Sequence, residues 1–490
     1  MKKVNLLAAA VVAATFMAPA ANATINADTA LKGDASCFRA AVFSKHFDSN
    51  PNDVGRLGNE NDLYIELAPG VTLAEIDNTV WDFRTSFAMQ SRKQGVWQDT
   101  NGDLTFANTQ AFMRVSGLFD FDPGAVLWVG KKYVRSDSFI TDQFWRNVSG
   151  NGVGIENLSL GSGKLRANWT RRDSSATFDS TLDNDAKFKY TEYKEVTDDK
   201  AYDVKVDGKK YKKVDVSSAI SPSDISTNIF DVDYNFAPVD GTNLDFGYTV
   251  IVPQRYSSEY SSWNYKLAHD ISNGHIFTLG FGEALLGGWN ETYVRYITGS
   301  TAFSGFGDGT WLQDNATSST YTWEILDKGT VSFTDSFRMY YHVRGTINGG
   351  YDKQLTSLDK QLTSLDKSKA FQLIVRPELQ LTKMTKLDLE LGMITQSNTY
   401  LDSKDDTNAQ QQKATLAYCV TPNASAFYAT PEIRFFVTYK HAGHNAEEFA
   451  AFKKDYSHVV TKTDGSLENV TTGRNRNNVT VFGVQATAWF

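Results

Sequence analysis

Apolar and polar residues alternate one by one through much of this chain. In residues 478–490, Thr480, Phe482, Val484, Ala486, Ala488 and Phe490 fall in one register, and Val481, Gly483, Gln485, Thr487 and Trp489 in the other. A strand sends successive side chains to opposite faces, so this segment predicts a strand with one largely apolar and one mixed face. Residues 62–67 alternate cleanly, with Leu63, Ile65 and Leu67 opposing Asp62, Tyr64 and Glu66. Residues 37–43 set Phe38, Ala40 and Val42 against Cys37, Arg39 and Ala41. In residues 426–439, Phe427, Ala429, Ile433, Phe435 and Val437 oppose Tyr428, Thr430, Glu432 and Arg434. Three of these strands carry an aromatic (Tyr64, Tyr428, Trp489) on the polar face, whereas a belt at a lipid rim would occupy the apolar register. A last strand that is apolar on one face and finishes on Phe490 predicts a closed barrel, its outer face against lipid.

The punctuation between strands fits that topology. Tight turns are predicted at Asp122-Pro-Gly124, Gly161-Ser-Gly163, Pro238-Val-Asp-Gly241, Ser272-Asn-Gly274, Asp327-Lys-Gly329 and Thr421-Pro-Asn423. Long polar connections are predicted at about 180–227, 301–320, 345–370, 397–412 and 441–477. Short turns on one rim and long loops on the other are the pattern of an outer-membrane barrel. The connection 345–370 holds a tandem heptad, Asp352-Lys-Gln-Leu-Thr-Ser-Leu358 repeated as Asp359-Lys-Gln-Leu-Thr-Ser-Leu365. Two copies cannot build a solenoid, so it reads as a loop expansion. The Lys-, Asp- and Tyr-rich insertion 186–215 reads as a solvated extracellular loop. At about 10 residues per tilted strand the chain supplies roughly sixteen to eighteen strands, enough to enclose water.

Composition sharpens the picture. Residues 1–23 form a secretory signal peptide: Met1-Lys-Lys is basic, Leu6 to Ala20 is apolar, and Ala21-Asn22-Ala23 is a cleavage signal. Residues 24–35 are a flexible lead without periodicity, and 36–490 make one barrel. No later run is long and apolar enough for a transmembrane helix. Aromatics reach 13%, Gly numbers 35 and Pro 10. The net charge of −8 argues against a nucleic-acid partner. Cys37 and Cys419 are read as free, half-buried thiols without a metal motif. The seven histidines give neither triad nor zinc motif, and no cofactor is expected.

Several segments resemble the maltoporin family of carbohydrate-selective porins. Gly55-Arg-Leu-Gly-Asn-Glu60 with Tyr64-Ile-Glu66 is similar to its second-strand signature. Val126-Leu-Trp-Val-Gly-Lys-Lys-Tyr133 through Arg135-Ser-Asp137 and Asp142 resembles the entry to its inward-folded third loop. Gly150-Asn-Gly-Val-Gly-Ile-Glu-Asn157, Asn228-Ile-Phe-Asp-Val232, Trp263-Asn-Tyr265, Ile325-Leu-Asp-Lys-Gly329, Pro431-Glu-Ile-Arg434 and the Ala-Trp-Phe end add to the match. The resemblance implies an all-β, 18-stranded antiparallel transmembrane barrel with long extracellular loops and short periplasmic turns. It implies a homotrimer in the lipid bilayer of a Gram-negative outer membrane, passing maltose and maltodextrins by passive diffusion.

The family guides sugar along an aromatic slide flanked by a charged track. The pairing has a physical reason: a pyranose ring stacks its C–H face on an aromatic, and its hydroxyls need donors and acceptors. Transferred position by position, the slide is Tyr64, Trp97, Tyr265, Tyr428 and Trp489, and the polar track is Arg39, Arg56, Glu66, Arg135, Asp137 and Asp142. Phe144 takes the place of a constriction tyrosine, Cys37 that of the first slide aromatic, and Thr109 that of a track arginine. These departures keep open a porin for another saccharide such as sucrose, or a general diffusion channel. A non-conducting barrel acting as adhesin or receptor through its loops is the alternative of another class. A carboxylate pair for glycoside hydrolysis is disfavoured, because nothing else suggests a water-excluding site.

Overall fold

The computed structural model describes residues 36–44, 54–91, 104–141, 143–174, 188–196, 204–206, 209–218, 225–253, 272–313, 316–351, 365–400, 407–426, 429–442, 457–461, 467–471 and 478–489. Residues 1–35, the tandem heptad up to residue 364, Trp97, Asp142, Tyr265 and Tyr428 lie outside them. The barrel strands are β1 (Cys37–Phe43), β2 (Leu63–Leu67 and Gly70–Ile76), β3 (Thr79–Ser91), β4 (Leu104–Ser116), β5 (Val126–Lys132) and β6 (Gly150–Leu160). They continue with β7 (Gly163–Ser174), β8 (Ile225–Phe236), β9 (Thr242–Pro253), β10 (Gly274–Leu285), β11 (Gly288–Thr298) and β12 (Tyr321–Ser332). The last six are β13 (Phe337–Gly349), β14 (Leu365–Gln380), β15 (Thr385–Tyr400), β16 (Thr407–Val420), β17 (Glu432–Ala442) and β18 (Asn478–Trp489).

Each strand pairs antiparallel with its neighbours in chain order, and β18 pairs with β1 to close an 18-stranded barrel. At the seam Cys37 stands opposite Trp489 and Arg39 opposite Thr487. On its other side β1 sets Cys37 opposite Glu66 and Arg39 opposite Tyr64. Both halves of β2 pair with β3. The break between them holds Pro69, which has no N–H for the ladder; its carbonyl still accepts from Thr85 N at 3.1 Å.

Alternation sorts the wall into two faces. On the outer face, Val42, Leu63, Phe435, Phe482 and Val484 are exposed. Tyr248, Phe277, Tyr296 and Trp323 form a ribbon across four adjacent strands, with successive ring centroids 5.0, 6.4 and 4.6 Å apart. Such an aromatic girdle is what a lipid interface selects. The inner face is polar and laced with ion pairs. Lys386 Nζ, for example, lies 3.0, 3.1 and 3.1 Å from the carboxylates of Glu378, Asp388 and Glu432.

Three sequence expectations are corrected. Asp327–Gly329 is not a turn, because the alternation of β12 runs through it to Ser332 and the chain reverses at 333–336. Ser272–Gly274 is no tight turn either; it leads into β10. The insertion 186–215 carries strands of its own: Phe188–Val196, Val204–Val206 and Lys209–Ser218 pair as a separate three-stranded sheet. Its alternating Val, Tyr and Lys positions are a strand pattern that its charge content obscured. Cys37 and Cys419 are free as expected, but Cys419 is wholly buried rather than half-buried.

Candidate functional site

Two clusters of sequence-predicted residues meet on the polar face. The first forms where β1, β2 and the segment 54–62 converge. Arg39 donates to Asp62 at 2.6 and 2.7 Å and to Glu60 at 2.8 Å. Its guanidinium carbon lies 5.4 Å from the centre of the Tyr64 ring, within cation–π range. Arg56 donates to the same Glu60 carboxylate at 2.9 Å. Burial opposes ionisation of Glu60, yet the Arg56 and Arg39 guanidinia hold its carboxyl down at about 2. Tyr64 donates to Glu66 at 2.6 Å. Glu66 also accepts from Ser86 at 2.6 Å and Thr109 at 3.0 Å, so it is buried and fixes the tyrosine. Thr109 thus serves Glu66, in the place where the resemblance led one to look for an arginine.

Segment 54–62 is bolted to the wall across the closing seam, on β15, β16 and β17. Leu57 N donates to Glu390 Oε1 at 3.0 Å, Lys413 donates to the Gly55 carbonyl at 2.7 Å, and Lys440 donates to Asn59. Gly55 and Gly58 have φ of 98° and 64°. A Cβ would strike Glu390 at the first and Thr438 and Phe436 at the second, so the close approach requires glycine at both.

The second cluster belongs to residues 133–149. Arg135–Asp137 and Phe144–Asn147 pair as a short hairpin, Arg135 opposite Asn147 and Ser136 opposite Arg146. Arg146 reaches β8, donating to both oxygens of Asp231 at 2.7 and 2.8 Å and pairing with Asp233. Lys328 donates to the Asp137 carbonyl at 2.9 Å, Arg344 to Gln143 at 3.3 Å, and Ser138 hydrogen-bonds His342 at 2.9 Å. Ile140 packs with Tyr340 and Ile374. Its carbonyl accepts from Arg56 N at 3.1 Å, which joins the two clusters.

Trp489 meets this segment directly. Phe139 sits edge-on to it, centroids 5.3 Å apart at 79°, and its ring centre is 5.5 Å from that of Tyr340. Arg135, Asp137 and Phe144 lie together on the hairpin, with Arg135 exposed. A third segment, 300–313, also packs on the polar face. Arg295 donates to Asp308 O at 3.0 Å, Thr346 to Gly305 O at 2.8 Å, and Thr310 to Asn147 O at 2.9 Å.

Sequence reasoning missed part of this site. Phe139, Trp289 and Tyr293 extend the aromatic surface, backed by the buried Tyr340 and Trp145, and Glu60 and Asp62 hold the arginines. Trp145 and Tyr293 lie 4.1 Å apart, and Lys328 joins Glu291 at 3.1 Å beneath Trp289. A signal was present, since Trp289, Glu291, Tyr293 and Arg295 share one register.

Comparison with known proteins gives this geometry a family. The model of the LamB porin family matches residues 32–490. The chain belongs to the LamB porin family. Maltoporin 1 of Klebsiella pneumoniae is 26% identical over 99% of this chain and 98% of its own. Maltoporin 2 of Yersinia pseudotuberculosis is 26% identical over 89% of this chain and 88% of its own. Among solved structures, Acinetobacter baumannii OccAB2 aligns over 94% of this chain and 99% of its own, at 9% identity and a TM-score of 0.43. As a LamB porin with an 18-stranded barrel, the protein is a Gram-negative outer-membrane channel.

Proposed function

We propose that this LamB porin is a homotrimeric, sugar-selective channel that conducts maltose and maltodextrins passively, in a mature form from which residues 1–23 have been removed. In this reading Tyr64, Trp97, Tyr265, Tyr428 and Trp489 form the slide, and Arg39, Arg56, Glu66, Arg135, Asp137 and Asp142 the polar track. Residues 133–149 are the inward-folded third loop, with Phe144 at the constriction. The observation that carries the reading is the Trp489–Phe139 pair, packed on the buried Tyr340, beside the Arg39–Tyr64–Glu66 cluster. It puts apolar ring faces next to oriented donors and acceptors, the two things a pyranose needs. The relatives' name, maltoporin, supports the substrate. Many weak contacts in series let a sugar enter and leave, as conduction demands.

Planar-bilayer recording tests it. The expected result is conductance in steps of three, blocked by maltohexaose at sub-millimolar concentration. Block by unrelated solutes to the same degree would leave a general diffusion channel. Absence of any conductance would favour the adhesin or receptor.

A further inference from the structure

Arg135 is held by two aromatic rings rather than by a carboxylate among the described residues. Its guanidinium carbon lies 3.7 Å from the ring centre of Tyr133 and 4.3 Å from that of Phe144. A flat group this small cannot take two rings on one face, so the guanidinium lies between them. Cation–π attraction from both rings fixes its plane, and stacked rings leave the in-plane N–H fork free. Among the described residues Arg135 makes no ion pair, in contrast to Arg39, Arg56, Arg114 and Arg146, each of which has a carboxylate within 2.9 Å.

The hairpin register says where that fork points. Ser136 and Arg146 share the face that is clamped to β8 through Asp231 and Asp233. Arg135, Asp137 and Phe144 share the opposite face, turned away from that wall, and Arg135 is exposed there. Phe144 brings no hydroxyl to this point. Arginine only donates, and a planar fork matches two oxygens of one anion. The carboxylate on the same face, Asp137, is half-buried and makes no ion pair with Arg135, and Asn147 opposite Arg135 gives its side-chain oxygen to Arg172.

From this we infer that Arg135, stacked between Tyr133 and Phe144, is a binding site for an anionic group, and that the channel prefers saccharides carrying a carboxylate or phosphate over neutral ones of the same length. The inference rests on the sugar-porin reading and narrows its substrate class. An acid sugar stacks on the same aromatics while its anion docks in the fork. Asp137 then acts against the ligand by like-charge repulsion, whereas for a neutral sugar it would help by accepting a hydroxyl.

The test uses the full-length trimer in planar bilayers at ~0.1 M salt, where charges farther apart than about 10 Å are screened. Block is titrated with maltotriose, trigalacturonate and singly phosphorylated maltotriose, the last two separating carboxylate from phosphate at equal length. At least one anion is expected to block tenfold or more tightly than maltotriose. Arg135→Gln should bring its block down to the maltotriose level. Arg135→Lys, which keeps the charge and loses the fork, should fall between. Asp137→Asn should tighten block by the anion and weaken block by maltotriose. Equal block by all three sugars in the wild type, or anion block indifferent to Arg135→Gln, would overturn the inference. If maltotriose blocks and neither anion does, this inference fails and the sugar-porin reading stands. If the channel conducts and no saccharide blocks it, both fail.

Discussion

At the scale of single residues, Trp489 and Glu60 make the clearest claims. Trp489 ends β18 on the polar face and meets Phe139 edge-on, leaving much of its indole exposed. If a sugar ring stacks there, Trp489→Ala should weaken maltohexaose block by about 1–3 kcal/mol, by analogy with bases stacked on aromatic side chains, and small-ion conductance should hold or rise. Unchanged sugar affinity would remove Trp489 from the slide. Glu60 makes a claim about pH. Its carboxyl is held at about 2 against an ordinary 4.5, so the stabilisation it gives through Arg56 and Arg39 is present above 4.5 and is lost as pH falls toward 2. The advantage of wild type over Glu60→Gln in urea midpoint should stay level from neutrality down to about 4.5 and then shrink steadily. An advantage still undiminished near pH 2 would mean that Glu60 is not ionised by its arginines.

At the scale of elements, the hairpin at 133–149 depends on Arg146. That side chain satisfies two buried carboxylates, Asp231 and Asp233. Removing one partner of a buried pair costs about 3–5 kcal/mol, because the other charge stays behind unpaired. Arg146→Ala should therefore free the segment, raise single-channel conductance and weaken sugar block together. Wild-type conductance and block in that variant would mean that Lys328, His342 and Arg344 hold the segment unaided. The sequence disclosed the elements unevenly, for physical reasons. Period-two alternation placed Arg39, Tyr64, Glu66 and Trp489 on the right face, since every wall strand must part lipid from lumen. Turn chemistry misled at Asp327-Lys-Gly329, where Gly329 sits inside a paired strand. Segments such as 54–62 and 300–313 left little periodic trace. Their positions are set by hydrogen bonds to residues hundreds of positions away, such as Lys413 to Gly55 and Lys440 to Asn59, and no local pattern encodes those partners.

For the whole molecule, the closing seam and the sorting of faces make one statement. A barrel in lipid must pair every strand and show the bilayer only apolar side chains, because neither an unpaired backbone nor a charge finds a partner in hydrocarbon. Here β1 and β18 pair from Cys37–Trp489 to Phe43–Gly483, and Val484 stands on the outer face midway along β18. Val484→Arg should destabilise the folded barrel by about 2–4 kcal/mol if that position lies near the bilayer midplane. The measurement is the fraction folded in vesicles across a urea series, read on unheated gels, where the wild type should run as a heat-dissociable trimer. A loss below 1 kcal/mol would place Val484 against a neighbouring subunit or near the membrane surface, because a charge there escapes most of the cost. A loss of about 2–4 kcal/mol would thus place the seam against lipid near the bilayer midplane.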